Sequence, residues 1–270
     1  MDKKTIGIIG CGTIGAELAR CAEKALARYV AKIVLYDSDF AKSEKLAEKL
    51  SNVTIAAGME EIIAEADLVI EAACGQIVPE VVKAALDKGK DVMVMSIGGL
   101  LGSEDLLEAA REKGVKVILP SGAIAGIDAV KAAKTAGIES VTLTTRKPPK
   151  SIKGAPYLSE KNIDVDTLTG ETVLFQGSAM EAIKGFPKNV NVSALLSIAG
   201  IGAEKTRVRI IVSPEYTRNT HEIEVKGSAG ILTMRTENVP SPENPKTSYL
   251  AALAAAASLR EYFDTVRIGT

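Results

Sequence analysis

The chain has 270 residues, of which 46% are hydrophobic and 25% charged, a composition that excludes a disordered chain and allows one large or two modest domains. Its 33 Lys and Arg residues balance 34 Asp and Glu residues, so a net charge of −1 offers no general attraction to nucleic acid or to an anionic membrane. Only 4% of the residues are aromatic and Trp is absent, which predicts an aliphatic core and no stacking platform for single strands.

Cysteine and histidine are scarce in this chain. The three cysteines, Cys11, Cys21 and Cys74, lack CxxC spacing, so we expect neither a disulfide framework nor a metal site, and a reducing compartment fits. No apolar run reaches the ~18 residues of a membrane span, and the N-terminus lacks the pattern of a secretory signal. The sequence therefore predicts a cytoplasmic protein without a membrane partner, and leaves His221 as its single histidine.

The first 122 residues alternate between short apolar segments and helix-forming segments. In the last helix Ser103 is expected as the N-cap, with Gly114 just past the end. Strands separated by helices favour right-handed crossovers, and therefore an α/β domain at residues 1–122 with a Rossmann-type, doubly wound parallel sheet. The predicted strands are 5–9, 31–36, 68–72, 91–95 and 116–119, and the predicted helices are 16–28, 43–50, 59–64, 78–87 and 103–113.

The pattern changes after residue 122 and predicts a smaller α+β domain at residues 123–244 with a mainly antiparallel sheet. The prolines that follow Arg146 and Lys147 are expected to end the first of its strands. A proline-rich connector at 239–245 precedes a helix rich in small residues, so we assign segment 245–270 to the first domain. The predicted strands are 141–145, 172–176, 207–213, 220–226 and 229–237, and the predicted helices are 126–136, 179–184, 191–201 and 247–262.

A glycine-rich turn, Gly-Cys-Gly-Thr-Ile-Gly, follows the first strand and opens the first helix. This context is the one that a dinucleotide-binding G-x-G-x-x-G motif requires. Gly10 allows the tight turn, Gly12 lets the backbone approach a pyrophosphate, and Gly15 lets the helix pack on the strand. Thr13 and Ile14 belong to the helix N-terminus, whose free N–H groups attract a phosphate. The turn therefore predicts a bound NAD or NADP.

The ends of the neighbouring strands are expected to complete the cofactor site. Asp37 lies 22 residues after Gly15 and ends the second strand, where a carboxylate binds ribose hydroxyls and repels a 2′-phosphate. This position favours NAD over NADP. Ala73 and Cys74 end the next strand, and with loop 96–99 they should border the nicotinamide half. Because no histidine adjoins Cys74 in sequence, we interpret it as a packing residue rather than a nucleophile.

Four segments that follow this turn, in the same order, resemble L-aspartate dehydrogenases. They are Pro-Ser-Gly-Ala-Ile-Ala-Gly-Ile-Asp-Ala at 120–129, Thr-Arg-Lys-Pro-Pro at 145–149, Asn-Thr-His-Glu-Ile at 219–223 and Asn-Pro-Lys-Thr-Ser-Tyr at 244–249. The resemblance covers nearly the whole chain. It implies NAD(P)-dependent oxidation of L-aspartate to iminoaspartate, which hydrolyses to oxaloacetate and ammonia or feeds NAD biosynthesis. It also implies a Rossmann domain followed by an α+β domain, and a homodimer.

The same resemblance implies roles for three residues. Ala123 and Asn189 correspond to cofactor contacts, and His221 corresponds to the active-site histidine of the family. Oxidation of an amino acid at Cα needs a neutral amine, and a histidine titrates in the range suited to taking its proton or that of a water. Without the resemblance, a strand histidine satisfied by a neighbour is the better interpretation of His221.

The residues that hold the two substrate carboxylates are less clear from the sequence. We favour Ser121, which we expect at the end of a parallel strand, together with backbone N–H groups such as that of Gly122. A helix that begins near residue 126 would add the attraction of its N-terminus. The alternatives are Arg146, Lys147 and Lys188, although for each of them alone a solvated surface charge is the better interpretation.

Two other classes of function stay open. A non-catalytic NAD(H)-binding regulator would bind the nucleotide without turnover, although the sequence shows no basic patch or recognition helix for nucleic acid. A related two-domain dehydrogenase or reductase would act on a different small acid. Dihydrodipicolinate reductases carry paired histidines, which this chain lacks, and sugar dehydrogenases of the glucose–fructose type carry Glu-Lys-Pro where segment 96–99 reads Ser-Ile-Gly-Gly.

Overall fold

The protein, seen in a computed structural model, divides into two compact units. The structure describes residues 2–187, 190–242 and 244–269, with only the backbone of Pro245 and Lys246. The first unit comprises Met1–Pro120 and Ala252–Arg267, and the second comprises Ser121–Ala251 and Ile268–Thr270. No helix of the described residues is long and apolar enough to cross a membrane.

The first unit is built on a parallel sheet of the predicted doubly wound type. Its strands are β1 (Lys4–Ile9), β2 (Val30–Tyr36), β3 (Val53–Ile55), β4 (Leu68–Glu71), β5 (Asp91–Val94) and β6 (Val117–Ile118). They lie in the order β3-β2-β1-β4-β5-β6, and every pair is parallel. The strand order reverses between β1 and β4, which places a ligand crevice at the carboxyl ends of these strands.

The helices of the first unit occur in the predicted order, but only α4 matches the sequence prediction at both ends. They are α1 (Thr13–Arg20), α2 (Phe40–Ala47), α3 (Met59–Glu65), α4 (Val78–Asp87) and α5 (Asp105–Lys113). The single helix expected at 16–28 is α1 followed by a π-helical turn at Cys21–Ala25. Ser103 is not the N-cap of α5, since Glu104 occupies that position. Gly114 follows α5 in the left-handed conformation at φ +68°, as expected.

The second unit contains a mixed sheet. Its strands are β7 (Ile138–Lys147), β8 (Thr172–Ser178), β9 (Thr206–Val212), β10 (Asn219–Gly227) and β11 (Gly230–Asn238), in the order β11-β10-β7-β9-β8. β7 and β9 run parallel, and the other three pairs are antiparallel, which confirms a mainly antiparallel sheet. β7 lies at the centre and continues through Lys147, so the expected end at residue 145 is wrong. Pro148, which lacks a backbone donor, follows directly.

Helices cover one face of this sheet. They are α6 (Ile127–Ala136), α7 (Pro156–Glu160), α8 (Ala179–Gly185) and α9 (Asn191–Ala199). Ser178 and Glu181 form a capping box at the start of α8, where each side chain accepts a hydrogen bond from the other's backbone N–H. α7 lies between residues 145 and 172, where the sequence analysis predicts neither a strand nor a helix. The expected connector contains a short antiparallel pair, β12 (Pro240–Ser241) and β13 (Asn244–Ser248).

The last helix, α10 (Tyr249–Phe263), contributes its small and apolar residues to the core of the first unit. The core cluster of the first unit contains residues of β1 and α1, and three residues of α10 belong to the same cluster: Ala255, Leu259 and Phe263. The Phe263 ring stacks on that of Tyr29 at a centroid distance of 5.4 Å. The sheet of the first unit is thus closed by a helix from the far end of the chain.

Candidate active site

The three glycines of the first turn stand in different surroundings. Gly10 has φ +100°, and a Cβ there would lie 2.6 Å from the carbonyl oxygen of Ala72. A Cβ on Gly15 would lie 1.9 Å from the carbonyl oxygen of Gly10, whereas a Cβ on Gly12 would meet nothing within 4 Å. Packing therefore requires Gly10 and Gly15, while Gly12 leaves open space at the start of α1, beside Thr13 and Ile14. This space and the positive end of the α1 helix dipole fit a nucleotide diphosphate.

Asp37 follows β2 and is held against the glycine-rich turn. Its Oδ2 accepts a hydrogen bond of 2.8 Å from the backbone N–H of Cys11, and its Oδ1 accepts one of 2.9 Å from the N–H of Asp39. The Lys42 ammonium lies 3.9 Å from Oδ1. The carboxylate is therefore fixed in orientation beside the phosphate turn, where it is available to ribose hydroxyls.

A buried acid that sequence reasoning missed ends β4. Glu71 is 0% exposed, and its Oε1 accepts hydrogen bonds of 2.8 Å from the Ala73 N–H and 2.9 Å from the Ser96 hydroxyl. Its Oε2 accepts a bond of 2.9 Å from the Ser96 N–H. Burial raises the pKa of this carboxyl, and the bonds from Ser96 and Ala73 oppose that change.

Glu71 connects the two loops that follow β4 and β5, which are the loops expected at the nicotinamide half of the cofactor. The signal in the sequence was an acid that ends an otherwise apolar strand. Cys74, in the first of these loops, is a free and exposed cysteine, so it does not belong to the core of the first unit. The neighbouring Ala73 is exposed and donates its N–H to Glu71.

His221 lies on β10, directly opposite Thr145 on β7. Its side chain is 6% exposed, and Nδ1 lies 3.0 Å from the Thr145 hydroxyl oxygen. Burial, together with the charge of Lys147, lowers the pKa of the imidazole to about 3. The sequence suggested a histidine that titrates near neutral pH. In the structure, burial and the charge of Lys147 keep the imidazole neutral in that range and weaken its basicity.

Strand alternation separates the two basic candidates on β7. Lys147 lies two residues beyond Thr145, so it shares the face of His221, and it is 7% exposed. Arg146 points to the opposite face, where its guanidinium lies 3.4 Å from the carboxylate of Glu222. Only Lys147 of this pair therefore belongs to the surroundings of His221.

Ala123 is tied to the end of β11. Its carbonyl oxygen accepts hydrogen bonds of 3.0 Å from both the Thr236 hydroxyl and the Asn238 side-chain amide. Gly122, at φ +65°, makes the turn that precedes it. Thr236 lies opposite His221 on the neighbouring strand, so Ala123 is held near the end of the sheet that carries the histidine.

Three further candidates differ from expectation or lie outside the described residues. Ser121 does not end a parallel strand, because β6 stops at Ile118, and it begins the second unit instead. The expected cofactor contact Asn189 and the alternative carboxylate ligand Lys188 both lie outside the described residues.

Two family models match this chain and together span most of it. The model described as aspartate dehydrogenase, C-terminal, matches residues 128–262. The model described as homoserine dehydrogenase, NAD binding domain, matches residues 10–120, which include the glycine-rich turn and Asp37.

Whole-chain relatives are similar along almost the full length. The chain is 47% identical to an L-aspartate dehydrogenase of Methanococcoides burtonii, over 98% of this chain and 99% of the relative. It is 40% identical to one of Nitrosopumilus maritimus, over 99% of this chain and 100% of the relative. Among solved structures, an aspartate dehydrogenase of Thermotoga maritima matches with a TM-score of 0.75 and 25% identity, over 98% of this chain and 99% of that one.

Proposed function

This chain belongs to the L-aspartate dehydrogenase family, and from that premise we propose that it oxidises L-aspartate to iminoaspartate with a nicotinamide nucleotide. One observation carries the proposal: the same chain combines a dinucleotide turn, open at Gly12, with a buried neutral histidine on the sheet of its second unit. A nucleotide-binding module alone would need no such histidine. The fold, with its parallel sheet and NAD-binding domain, is that of a dehydrogenase.

The bound nucleotide supplies the hydride acceptor of the reaction. Gly12 and the N-terminus of α1, with Thr13 and Ile14, hold its pyrophosphate, and Asp37 binds the adenosine ribose through its fixed carboxylate. Because that carboxylate repels a 2′-phosphate, we propose NAD rather than NADP as the preferred cofactor. Ala73 and Cys74 from the loop after β4 complete the contacts on the first unit.

On the second unit, His221 accepts the proton. When Nδ1–H donates to the Thr145 hydroxyl, the lone pair of Nε2 is available to the substrate ammonium or to a water. A neutral amine is what allows a hydride to leave Cα, so this proton transfer must come first. From the family resemblance we propose Ala123 and Asn189 as cofactor contacts, and Ser121 and Gly122 as substrate contacts. The second unit, which begins at Ser121, is thus the proposed catalytic domain.

The fate of the product, the oligomeric state and the location of the enzyme are part of the same proposal. Iminoaspartate hydrolyses to oxaloacetate and ammonia or is used for NAD biosynthesis. We expect the enzyme to act as a homodimer in the cytoplasm, with small molecules as its substrates.

The direct test is to mix the protein with NAD and L-aspartate and to follow NADH by absorbance. Turnover with L-aspartate, and none with L-alanine, is the expected result. Tight NADH binding without turnover of any amino acid would identify the alternative, a nucleotide-binding regulator. Turnover of a different small acid alone would identify a related dehydrogenase of other specificity.

A further inference from the structure

A polar cavity lies at the end of the second unit's sheet, where β7 ends and β10 begins. Its volume is about 100 Å³, which is room for several water molecules and therefore for a carboxylate group. Pro148 after β7, Asn219 at the start of β10 and Asn238 at the end of β11 border it. Lys150 and Arg218 line it as well, and because both are exposed the cavity opens to solvent.

The cavity adjoins His221 along β10. Asn219 pairs in register with Asn238, and His221 pairs with Thr236, so these four side chains lie on one face of the sheet. Two residues of a strand span about 7 Å, so the cavity at Asn219 lies one side-chain position away from the histidine. A four-carbon dicarboxylate with one end in the cavity is long enough to bring its other end towards the imidazole.

Hydrogen bonds fix the wall that Asn238 forms. This side chain is 5% exposed, and its Nδ2 donates a bond of 3.0 Å to the Ala123 carbonyl oxygen. Its Oδ1 accepts a bond of 2.7 Å from the hydroxyl of Ser248, which also lines the cavity. The wall is therefore held in one orientation, and it is bonded to the residue that we propose as a cofactor contact.

The lining of the cavity favours an anion. Lys150 and Arg218 are its cations, and no Asp or Glu stands among the lining residues that the structure describes. The hydroxyl groups of Ser151, Thr217 and Thr247 add further possible donors. The planar guanidinium of an arginine matches a carboxylate through two parallel hydrogen bonds, which makes Arg218 the better placed of the two cations to orient such a ligand.

We propose that Arg218, together with Lys150, receives one carboxylate of the dicarboxylate substrate in this cavity. This inference rests on the proposed function and deepens it by assigning a carboxylate ligand that the sequence did not identify. The second carboxylate is left to Ser121 and Gly122, which precede Ala123 in the chain. With one end of the substrate held at Arg218, the remainder lies along the sheet face that carries the histidine.

The experiment measures succinate binding by calorimetry, with NADH present. Succinate has the carbon skeleton and both carboxylates of aspartate but no amine, so the ionisation of a substrate ammonium does not intervene. Arg218→Met should weaken succinate binding by about 10–100-fold, the usual worth of a hydrogen bond to a charged group. Lys150→Met should weaken it by less, and Arg218→Glu should remove measurable binding because like charges repel.

Arg207→Met is the matched control. Arg207 is an exposed arginine of β9, and strand alternation places it on the sheet face opposite to that of Ile210, Thr145 and His221. This variant should bind succinate like the unaltered protein. Unaltered succinate affinity in Arg218→Met and Arg218→Glu, or an equal loss in Arg207→Met, overturns the inference.

NADH affinity, measured by fluorescence without succinate, separates a substrate carboxylate from a cofactor phosphate, since both are anions. It should be the same in all four variants, and a loss in Arg218→Met as large as the loss for succinate would overturn the inference. L-aspartate turnover by the unaltered protein, with unchanged succinate affinity in Arg218→Met, would contradict the inference alone. Succinate binding of the expected kind without any L-aspartate turnover would contradict the proposed function and leave the assignment of Arg218 standing.

Discussion

At the scale of single residues, two glycines of the nucleotide turn provide a matched pair. A methyl group on Gly12 meets no protein atom but occupies the space into which a pyrophosphate would approach, whereas one on Gly15 would overlap the Gly10 carbonyl. We expect Gly12→Ala to weaken NADH binding at least tenfold with an unchanged melting temperature. Gly15→Ala should instead lower the melting temperature by several degrees. Fluorescence titration and thermal unfolding measure the two, and unaltered NADH affinity in Gly12→Ala would show that no phosphate lies there.

Asp37 gives a test of the proposed preference for NAD over NADP. Its carboxylate is fixed by the N–H groups of Cys11 and Asp39, and its charge repels a 2′-phosphate. Asp37→Ser should therefore weaken NAD binding and strengthen NADP binding, measured as the ratio of the two dissociation constants. If both constants are the same as in the unaltered protein, Asp37 does not contact the ribose.

Glu71 holds the loops after β4 and β5 through its bonds to Ala73 and Ser96. In Glu71→Gln an amide donor replaces one acceptor oxygen and faces N–H groups, which leaves a buried donor unsatisfied at a cost of about 1–3 kcal/mol. We expect a lower free energy of unfolding and weaker NADH binding, measured by denaturant titration and fluorescence. Glu60→Gln, on the exposed side of α3, is the control and should change neither quantity. If the two variants have the same free energy of unfolding and the same NADH affinity, Glu71 does not hold these loops in place.

At the scale of elements, the sequence predicted the alternation of strands and helices and the glycine that ends a helix. It did not predict the residues at which the strands end. The short strand β3 has only three residues and no apolar run, so its pairing with β2 depends on the sheet beside it. β7 extends to Lys147 because proline removes the donor only of its own position. This extension matters for function, since it turns Lys147 into a buried strand residue on the histidine's face.

The C-terminal helix gives a test of packing at this scale. Leu259 of α10 is fully buried in the core of the first unit, whereas Leu253 of the same helix is 42% exposed. Leu259→Ala should lower the free energy of unfolding by about 2–5 kcal/mol, since it removes core contacts and leaves a cavity. Leu253→Ala should change it by less than about 0.5 kcal/mol, the usual effect of a surface substitution. Equal losses, measured by urea titration, would show that α10 does not anchor this unit as described.

At the scale of the whole molecule, the alternation of strands and helices predicted the architecture. It did not predict which charged and polar residues lie close together. The glycine-rich turn and Asp37 are close in sequence, and their spacing alone indicated a nucleotide site. Glu71 and Ser96 are separated by 25 positions and meet only because β4 and β5 are neighbours. The proximity of Lys147 to His221 likewise depends on the pairing of β7 with β10. The role of His221 itself came from the family resemblance, because a lone strand histidine has no pattern of its own.

The pH dependence of activity at low pH also depends on how the fold brings distant residues together. If the histidine had an ordinary pKa, the enzyme would lose activity as the pH falls through about 6.5, because the imidazole would become protonated. Burial and the charge of Lys147 lower the pKa of His221 to about 3, so its protonation removes the proton acceptor only near that pH. We expect no acid limb from His221 between pH 5 and 7 in kcat/KM for L-aspartate, and a limb near pH 6.5 that disappears in His221→Ala would contradict this environment.

The central claim is that His221 is the proton acceptor of an L-aspartate dehydrogenase, and the turnover of His221→Ala tests it most directly. The variant should retain its fold and its NADH affinity, because neither depends on the imidazole. Its kcat with L-aspartate and NAD should fall by about 10²–10⁴-fold, the usual contribution of one general acid–base group. Turnover close to that of the unaltered enzyme, with NADH binding intact, would contradict the claim.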